Sequence, residues 1–210
     1  MPQLIAMIIV VVAAMIYMFQ TFGGTGDKIE GVAQKTSIIT EINNIKNGVQ
    51  LALRNGSIVN GGVTSPGVDQ ANDLQGIAKL QFFPEQINNQ LTATGATANI
   101  YKAISFGGDK NLQISLVLPS TTAASDKTAR PGIYVDLTQG NLATNVAFLE
   151  KQVVSDLKAL AEIDTKATSA TYKALKEDGT FATALADHVD ADDDGKFVVY
   201  FKDLPRGMIK

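Results

Sequence analysis

The sequence predicts an α+β protein: a long N-terminal helix with an apolar half and an amphipathic half, then a globular head of three or four antiparallel strands and packed helices. Three observations predict this class. The chain opens with an uninterrupted apolar run, continues with apolar side chains at steps of three and four, and then alternates β-rich segments with helical patterns. We therefore divide it into residues 1–26, the apolar transmembrane or filament-core segment; 27–56, the amphipathic half of the helix; and 57–210, the head.

The apolar segment is long enough to matter for membranes. No charged residue precedes Asp27, and Leu4 to Phe19 is apolar without a break. As a helix, the run through Phe22 would span about 28 Å, close to the hydrocarbon thickness of a bilayer. Such a helix needs lipid or the same surface of other copies. The side chains predicted to form a filament core are Leu4, Ile5, Ile8, Ile9, Val12, Ile16, Phe19 and Phe22.

Three interpretations of this segment compete. A cleavable signal peptide would carry positive charge ahead of the apolar run, whereas Met-Pro-Gln stands there. A simple membrane anchor usually has flanking Lys or Arg, and the first one here is Lys28. The third interpretation, which we favour, is a helix already freed of a basic leader that leaves the membrane and packs with its copies. Glycine disfavours helix, so we expect a joint at Gly23, Gly24 and Gly26.

The amphipathic half follows this joint. Asp27 and Glu30 would lie in its first turn, where acidic groups suit the helix dipole, and Asn55-Gly56 predicts its end. Its apolar positions predict one buried stripe. They are Ile29, Val32, Ile39, Ile42, Ile45, Val49 and Ala52/Leu53.

The head contains a loop, then short strands and helices. Alternation of apolar and polar residues in the second strand of a predicted hairpin indicates a sheet with one buried face. The predicted elements are a loop over 57–72, a helix over 73–82, a hairpin of 99–106 with 112–118, a strand over 133–138, helices over 142–163 and 169–187, and a strand over 197–201.

One chemical motif stands near the C-terminus. Three aspartates spaced by two precede Gly195, as at the start of a calcium loop, where carboxylates converge and glycine permits the turn. The loop is incomplete, because Phe201 stands where an EF-hand has its bidentate Glu. A solvated acidic turn is therefore the alternative to a structural Ca²⁺ site. The predicted ligands are Asp190, Asp192, Asp194 and the backbone carbonyl of Lys196.

Composition excludes several function classes. The net charge is −3, which gives no basic footprint for nucleic acid. The absence of cysteine excludes disulfides, thiolate metal sites and cysteine nucleophiles. His188 is the only histidine, and no clustered catalytic residues or phosphate-binding loop accompany it, so we predict no enzyme and no small-molecule substrate.

The layout resembles the type IV pilins, especially the long type IVb kind. The resemblance in detail is carried by QLIAMIIVVVAAMIYMFQ and the helix down to Arg54. The chain departs from the family at two points. Ile5 stands where the family usually has a Glu that pairs with a neighbour's N-terminal amine, and the C-terminal disulfide of many members is absent.

The resemblance implies a structural subunit, a pilin, of an extracellular type IV pilus-like filament or fimbrium involved in cell adhesion. Its partners would be copies of itself in an open helical homo-oligomer on the cell surface, with an inner-membrane pool before assembly. The alternative is a single-pass membrane-anchored extracytoplasmic binding protein. A membrane-tethered enzyme is the third hypothesis, but the sequence shows no cluster of catalytic residues that would support it.

Overall fold

A computed structural model describes residues 31–106, 112–120, 129–140, 142, 145–175 and 193–210. The chain divides into two compact units, Met1–Thr36 and Ser37–Lys210. The predicted filament-core side chains and the predicted glycine joint therefore lie outside the described residues.

The described residues form the following elements: α1 over 31–54, α2 Leu74–Lys79, α3 Glu85–Thr92, β1 Tyr101–Lys102, a short 3₁₀ turn Ile104–Phe106, β2 Gln113–Val117, β3 Gly132–Asp136, α4 Val146–Leu157, β4 Ala161–Asp164 and β5 Lys196–Phe201.

The sheet has five strands in the order β1-β2-β3-β5-β4, and every neighbouring pair is antiparallel. The predicted α+β class and antiparallel sheet are confirmed, but the expected number of three or four strands is wrong. The missed strand is β4, which pairs with β5 and places Ile163 opposite Val199. Helix α4 ends at Leu157, six residues before the predicted end at 163.

One face of the sheet packs against α1 within the unit Ser37–Lys210. Ile42, Ile45 and Val49 are fully buried and share one apolar cluster with Val135 and Val199 of the sheet. The three-and-four spacing therefore predicted the buried face of α1 correctly from Ile42 onward. One turn earlier, the predicted Ile39 is only partly buried, and its neighbour Ile38 is the fully buried residue. Val32 is 58% exposed, so the predicted stripe is wrong at that position.

The other face of the sheet is also covered, contrary to the prediction of a single buried face. Val117, Val198 and Tyr200 point away from α1 and are fully buried. Residues of the segment 165–175, including Ala167 and Leu175, cover them. This segment forms turns and isolated bridges, so the helix predicted over 169–187 is wrong over 169–175, and its remainder lies outside the described residues.

Two short helices lie between α1 and the sheet in the sequence. Asp73 caps α2 by accepting a hydrogen bond from the Gly76 amide, and α2 ends at Lys79, within the predicted range. Helix α3 was not predicted. We expected Pro84 only to limit the first helix. It is also the residue directly before α3, where the fixed φ of proline is compatible with the start of a helix.

A buried carboxylate ties α1 to β1. Glu41 is 3% exposed, and its Oε2 accepts a 2.8 Å hydrogen bond from the Tyr101 hydroxyl. Its Oε1 accepts hydrogen bonds from the Ser105 amide, at 3.2 Å, and from the Ser105 hydroxyl. Burial, with further contributions from the Glu41 carboxylate, raises the pKa of Tyr101 well above its ordinary value. The hydroxyl therefore remains a donor to Glu41 throughout the physiological range.

Removing the Tyr101 hydroxyl should show how much its hydrogen bond to Glu41 contributes to the stability of the fold. We expect Tyr101→Phe to lower the free energy of unfolding by about 2 kcal/mol, because buried Glu41 loses its hydrogen bond from the hydroxyl. The hydroxyl also accepts a 3.2 Å hydrogen bond from the Ile104 amide, which is lost too. Tyr134→Phe is the matched control, since among the described residues that hydroxyl donates to the uncharged Thr168 carbonyl, at 3.1 Å. Its cost should be about 1 kcal/mol. Urea unfolding of the full chain in nonionic detergent, followed by circular dichroism, compares the two, and equal losses would contradict the special role of Glu41.

Candidate metal site at the acidic turn

The described part of the predicted calcium loop is a tight turn before β5. Asp193 and Gly195 adopt φ values of 73° and 86°, the left-handed region that favours glycine. A Cβ atom on Gly195 would lie 2.9 Å from Cβ of Val146, so the turn packs closely on the start of α4. Asp194 closes the turn by accepting a 2.8 Å hydrogen bond on Oδ1 from the Lys196 amide.

A buried glutamate on α4 holds this turn. Glu150 is 1% exposed, and its Oε2 accepts a 2.7 Å hydrogen bond from the Gly195 amide. Burial, with a smaller contribution from the nearby charges of Asp194 and Asp193, raises the pKa of Glu150 to about 7, against the lowering effect of the amide hydrogen bonds. The carboxyl thus carries a proton part of the time near neutral pH.

Sequence analysis missed Glu150, although a signal was present. It lies four residues after Val146 and three before Val153, inside the apolar stripe of α4. A charged residue at such a position is unusual, because charged side chains are rarely buried without a partner. Here the partner is the backbone of the acidic turn.

The turn has two further polar neighbours. Asp136, the last residue of β3, lies opposite Lys196 in the ladder. Its Oδ1 accepts hydrogen bonds from the amide and hydroxyl of Thr138, at 2.8 and 2.6 Å. Lys151 forms a 2.7 Å ion pair with Asp193 at the surface, where its contribution to stability is small.

The described residues bring only part of the predicted ligand set together. Asp194 and Lys196 share the turn, whereas Asp190 and Asp192 lie outside the described residues. Within the described ranges, no three His, Cys, Asp or Glu side chains are grouped so that they could hold a metal ion. Calcium binding therefore stays a prediction that depends on the residues before 193.

A separate surface cleft lies between the loop after α1 and helix α2. It has a volume of about 560 Å³, with Val63, Gln70, Asn72 and Lys79 among its lining residues. The loop is shaped by its own side chains, since Gln70 accepts a 3.0 Å hydrogen bond from the Gly67 amide. Its mixed polar lining could accept a ligand, but it lies far in sequence from the acidic turn.

Comparison with known proteins identified no matching protein family, characterised protein or solved structure. Among the residues that the structure describes, no helix is both long and apolar enough to cross a membrane. Residues 1–30, which include the apolar segment, lie outside that search.

The raised pKa of Glu150 predicts a specific pH dependence of stability. A carboxyl whose folded pKa of about 7 exceeds its ordinary 4.5 stabilises the fold below pH 4.5 and loses that contribution as the pH rises through 7. We expect the wild type to lose about 2 kcal/mol between pH 5 and pH 8 relative to Glu150→Gln, in EDTA. Urea unfolding at several pH values measures the difference.

Glu85→Gln provides the control, because Glu85 is exposed in the first turn of α3. Its stability should follow that of the wild type across this pH range. Parallel curves for the wild type and Glu150→Gln would show that Glu150 titrates normally.

The calcium prediction is tested by thermal unfolding of the full chain with excess Ca²⁺ and with EDTA. If the loop binds Ca²⁺, saturation at a hundred times the dissociation constant stabilises the fold by about 2.7 kcal/mol, which should raise the melting temperature by several degrees. Asp192→Asn should abolish this shift, whereas Asp69→Asn, at an exposed loop position, should retain it. Identical wild-type curves in the two buffers would leave the solvated acidic turn as the correct interpretation.

Proposed function

We propose that this protein is the structural subunit of an extracellular, type IV pilus-like helical filament. The proposal combines the apolar segment over 1–26 with the way in which the following helix joins the head. The expected partners of the protein are copies of the same chain. The proposed function involves no nucleic acid, no small-molecule substrate and no catalytic residue.

The observation that carries the proposal is the attachment of α1 to the head. From Ile38 to Leu53 one face of α1 is fully buried in the main core, so this part of the helix is integral to the domain. Polar contacts add to the attachment. Lys46 forms a 2.9 Å ion pair with Asp203, and the Gln50 amide donates to the Asp203 carbonyl at 3.1 Å.

This attachment supports a filament subunit over a tethered domain. A plain anchor does not need a helix built into the head, whereas a subunit under load needs its helix fixed to the rest of the fold. In the proposed assembly, apolar segments of many copies bundle in the centre and the heads cover the outside. Contacts repeated by a rotation that does not close generate an open helix.

The apolar segment would also serve before assembly. Its run from Leu4 to Phe22 matches the bilayer thickness, so we propose an inner-membrane pool of unassembled subunits. The joint at Gly23, Gly24 and Gly26 would let the helix bend during transfer from lipid to fibre. Because Ile5 replaces the family's usual Glu, packing of apolar side chains would have to set the register of neighbouring subunits.

A membrane-anchored binding protein is the second candidate, and the cleft of about 560 Å³ beside α2 favours it. Such a protein would keep the apolar segment in the membrane and present the cleft outside the inner membrane. The two candidates differ in where the mature chain is found.

The test uses Val12→Asp in the native cells, with electron microscopy and mass spectrometry of material sheared from their surface. An aspartate in the middle of the apolar segment costs about 3 kcal/mol in hydrocarbon, so fibres built of this chain should form in the wild type and fail in the variant. Val68→Asp is the matched control, because Val68 is 94% exposed on a loop and its replacement should leave fibres intact. Wild-type chain found only in the membrane fraction, with no fibres, would favour the anchored binding protein.

A further inference from the structure

A buried ion pair lies on the outer face of the sheet, the face that points away from α1 and carries Val198 and Tyr200. Lys173 Nζ is 3.1 Å from Asp164 Oδ2, and the two side chains are 4% and 5% exposed. The Lys46–Asp203 and Lys151–Asp193 pairs differ, since each keeps one partner at least half exposed. Burial of both charges removes their hydration, and the attraction between them compensates for this loss only in part.

The carboxyl group of Asp164 is held with its two oxygens in different environments. Asp164 ends β4 and lies opposite Val198 in the ladder, which fixes its backbone. Its Oδ1 accepts a hydrogen bond from the Lys166 amide at 3.3 Å, while Oδ2 faces the amine of Lys173. One oxygen therefore faces a hydrogen-bond donor and the other faces a nucleophile.

The lysine is positioned from the neighbouring strand. The amide of Lys173 donates a 2.9 Å hydrogen bond to the hydroxyl of Tyr200, which is fully buried on β5. The Tyr200 ring packs edge-on against Tyr172, with 6.0 Å between ring centroids. The backbone of Lys173 is therefore fixed to β5 through the Tyr200 hydroxyl.

We propose that Lys173 and Asp164 condense into an intramolecular isopeptide bond. The reaction begins with transfer of a proton from the ammonium of Lys173 to the carboxylate of Asp164, which leaves a neutral amine as the nucleophile. Nζ, which lies 3.1 Å from Oδ2, then attacks Cγ, the carbon that carries this oxygen. The Lys166 amide stabilises the negative charge that develops on Oδ1.

The reaction balances without any external reagent. The Nζ–Cγ bond forms and the Cγ–Oδ2 bond breaks. Oδ2 leaves as water with two of the three ammonium protons, and the third stays on the amide nitrogen. No group is oxidised or reduced, and the net charge of the pair is zero before and after the reaction.

The bond would fix a part of the fold that has no regular helix or strand. It would close a loop from Asp164 to Lys173, which includes most of the segment that covers Val198 and Tyr200. A covalent link of this kind restricts the unfolded chain much as a disulfide does, and this chain has no cysteine to form one. The inference rests on the outer face of the sheet alone and is independent of the proposed filament.

Intact mass spectrometry of the full-length protein tests the proposal directly. We expect the wild type to weigh less than its sequence by the mass of one water molecule. A tryptic digest should contain residues 159–166 joined to residues 167–176, with no cleavage after Lys173. Both measurements are made on the native chain, so neither depends on whether a variant folds.

Lys173→Arg is the matched control, because arginine keeps the buried positive charge but its guanidinium is not a nucleophile at neutral pH. Its mass should equal the sequence mass. A wild-type mass equal to the sequence mass, unchanged after prolonged storage, would overturn the proposal and leave an ion pair only. A loss of water that persists in Lys173→Arg would also overturn it, because the reaction would then lie elsewhere in the chain.

Discussion

The fold depends on burial of one face of α1 against the sheet. Ile42, Ile45 and Val49 lose all contact with water in a cluster that also contains the inward side chains of β3 and β5. Each such aliphatic side chain contributes about 2 kcal/mol on burial, so the helix and the sheet stabilise one another. Without α1, the sheet would expose an apolar face, and without the sheet, α1 would be an amphipathic helix with no partner.

Buried polar groups then fix the positions of the remaining elements. Glu41 joins α1 to β1, Glu150 joins α4 to the turn before β5, and the Lys173–Asp164 pair joins the outer segment to β4. Apolar contacts alone tolerate sliding, whereas a buried charge is costly wherever its partner is misplaced. These three links therefore specify the arrangement of elements more than they add to its stability.

The sequence predicts the elements whose patterns are long or repeated and misses those that depend on tertiary contacts. The stripe of α1 extends over several turns, and the alternation of β2 is regular, so both could be found from periodicity. Strand β4 is only Ala161–Asp164, and Ile163 continues the spacing of the helix before it, so the pattern predicted more helix. These residues form a strand because they pair with β5, and the local sequence contains no pattern that predicts this pairing.

The candidate sites show the same division. The spacing of Asp190, Asp192 and Asp194 is visible in the sequence, and so is Glu150 within an apolar stripe. The closeness of Lys173 to Asp164 is not visible, because charged residues nine positions apart in the sequence are normally solvated. It follows from the register of β4 on β5 and from the Tyr200 hydroxyl, both of which are tertiary features.

The two faces of the sheet suggest how a filament subunit of this kind would resist load. In the proposed open helical assembly, force would enter each subunit through its N-terminal segment and would reach the sheet across the buried face of α1. Apolar packing resists shear weakly, because it has no preferred direction, whereas the links from Glu41 and Lys46 are directional. Load would then pass to the central strands β3 and β5. Their outer face is covered by the segment 165–175, which has no regular helix or strand. Loss of this cover would expose Val198 and Tyr200 to water, so a covalent link between Lys173 and Asp164 would protect the sheet where regular secondary structure does not.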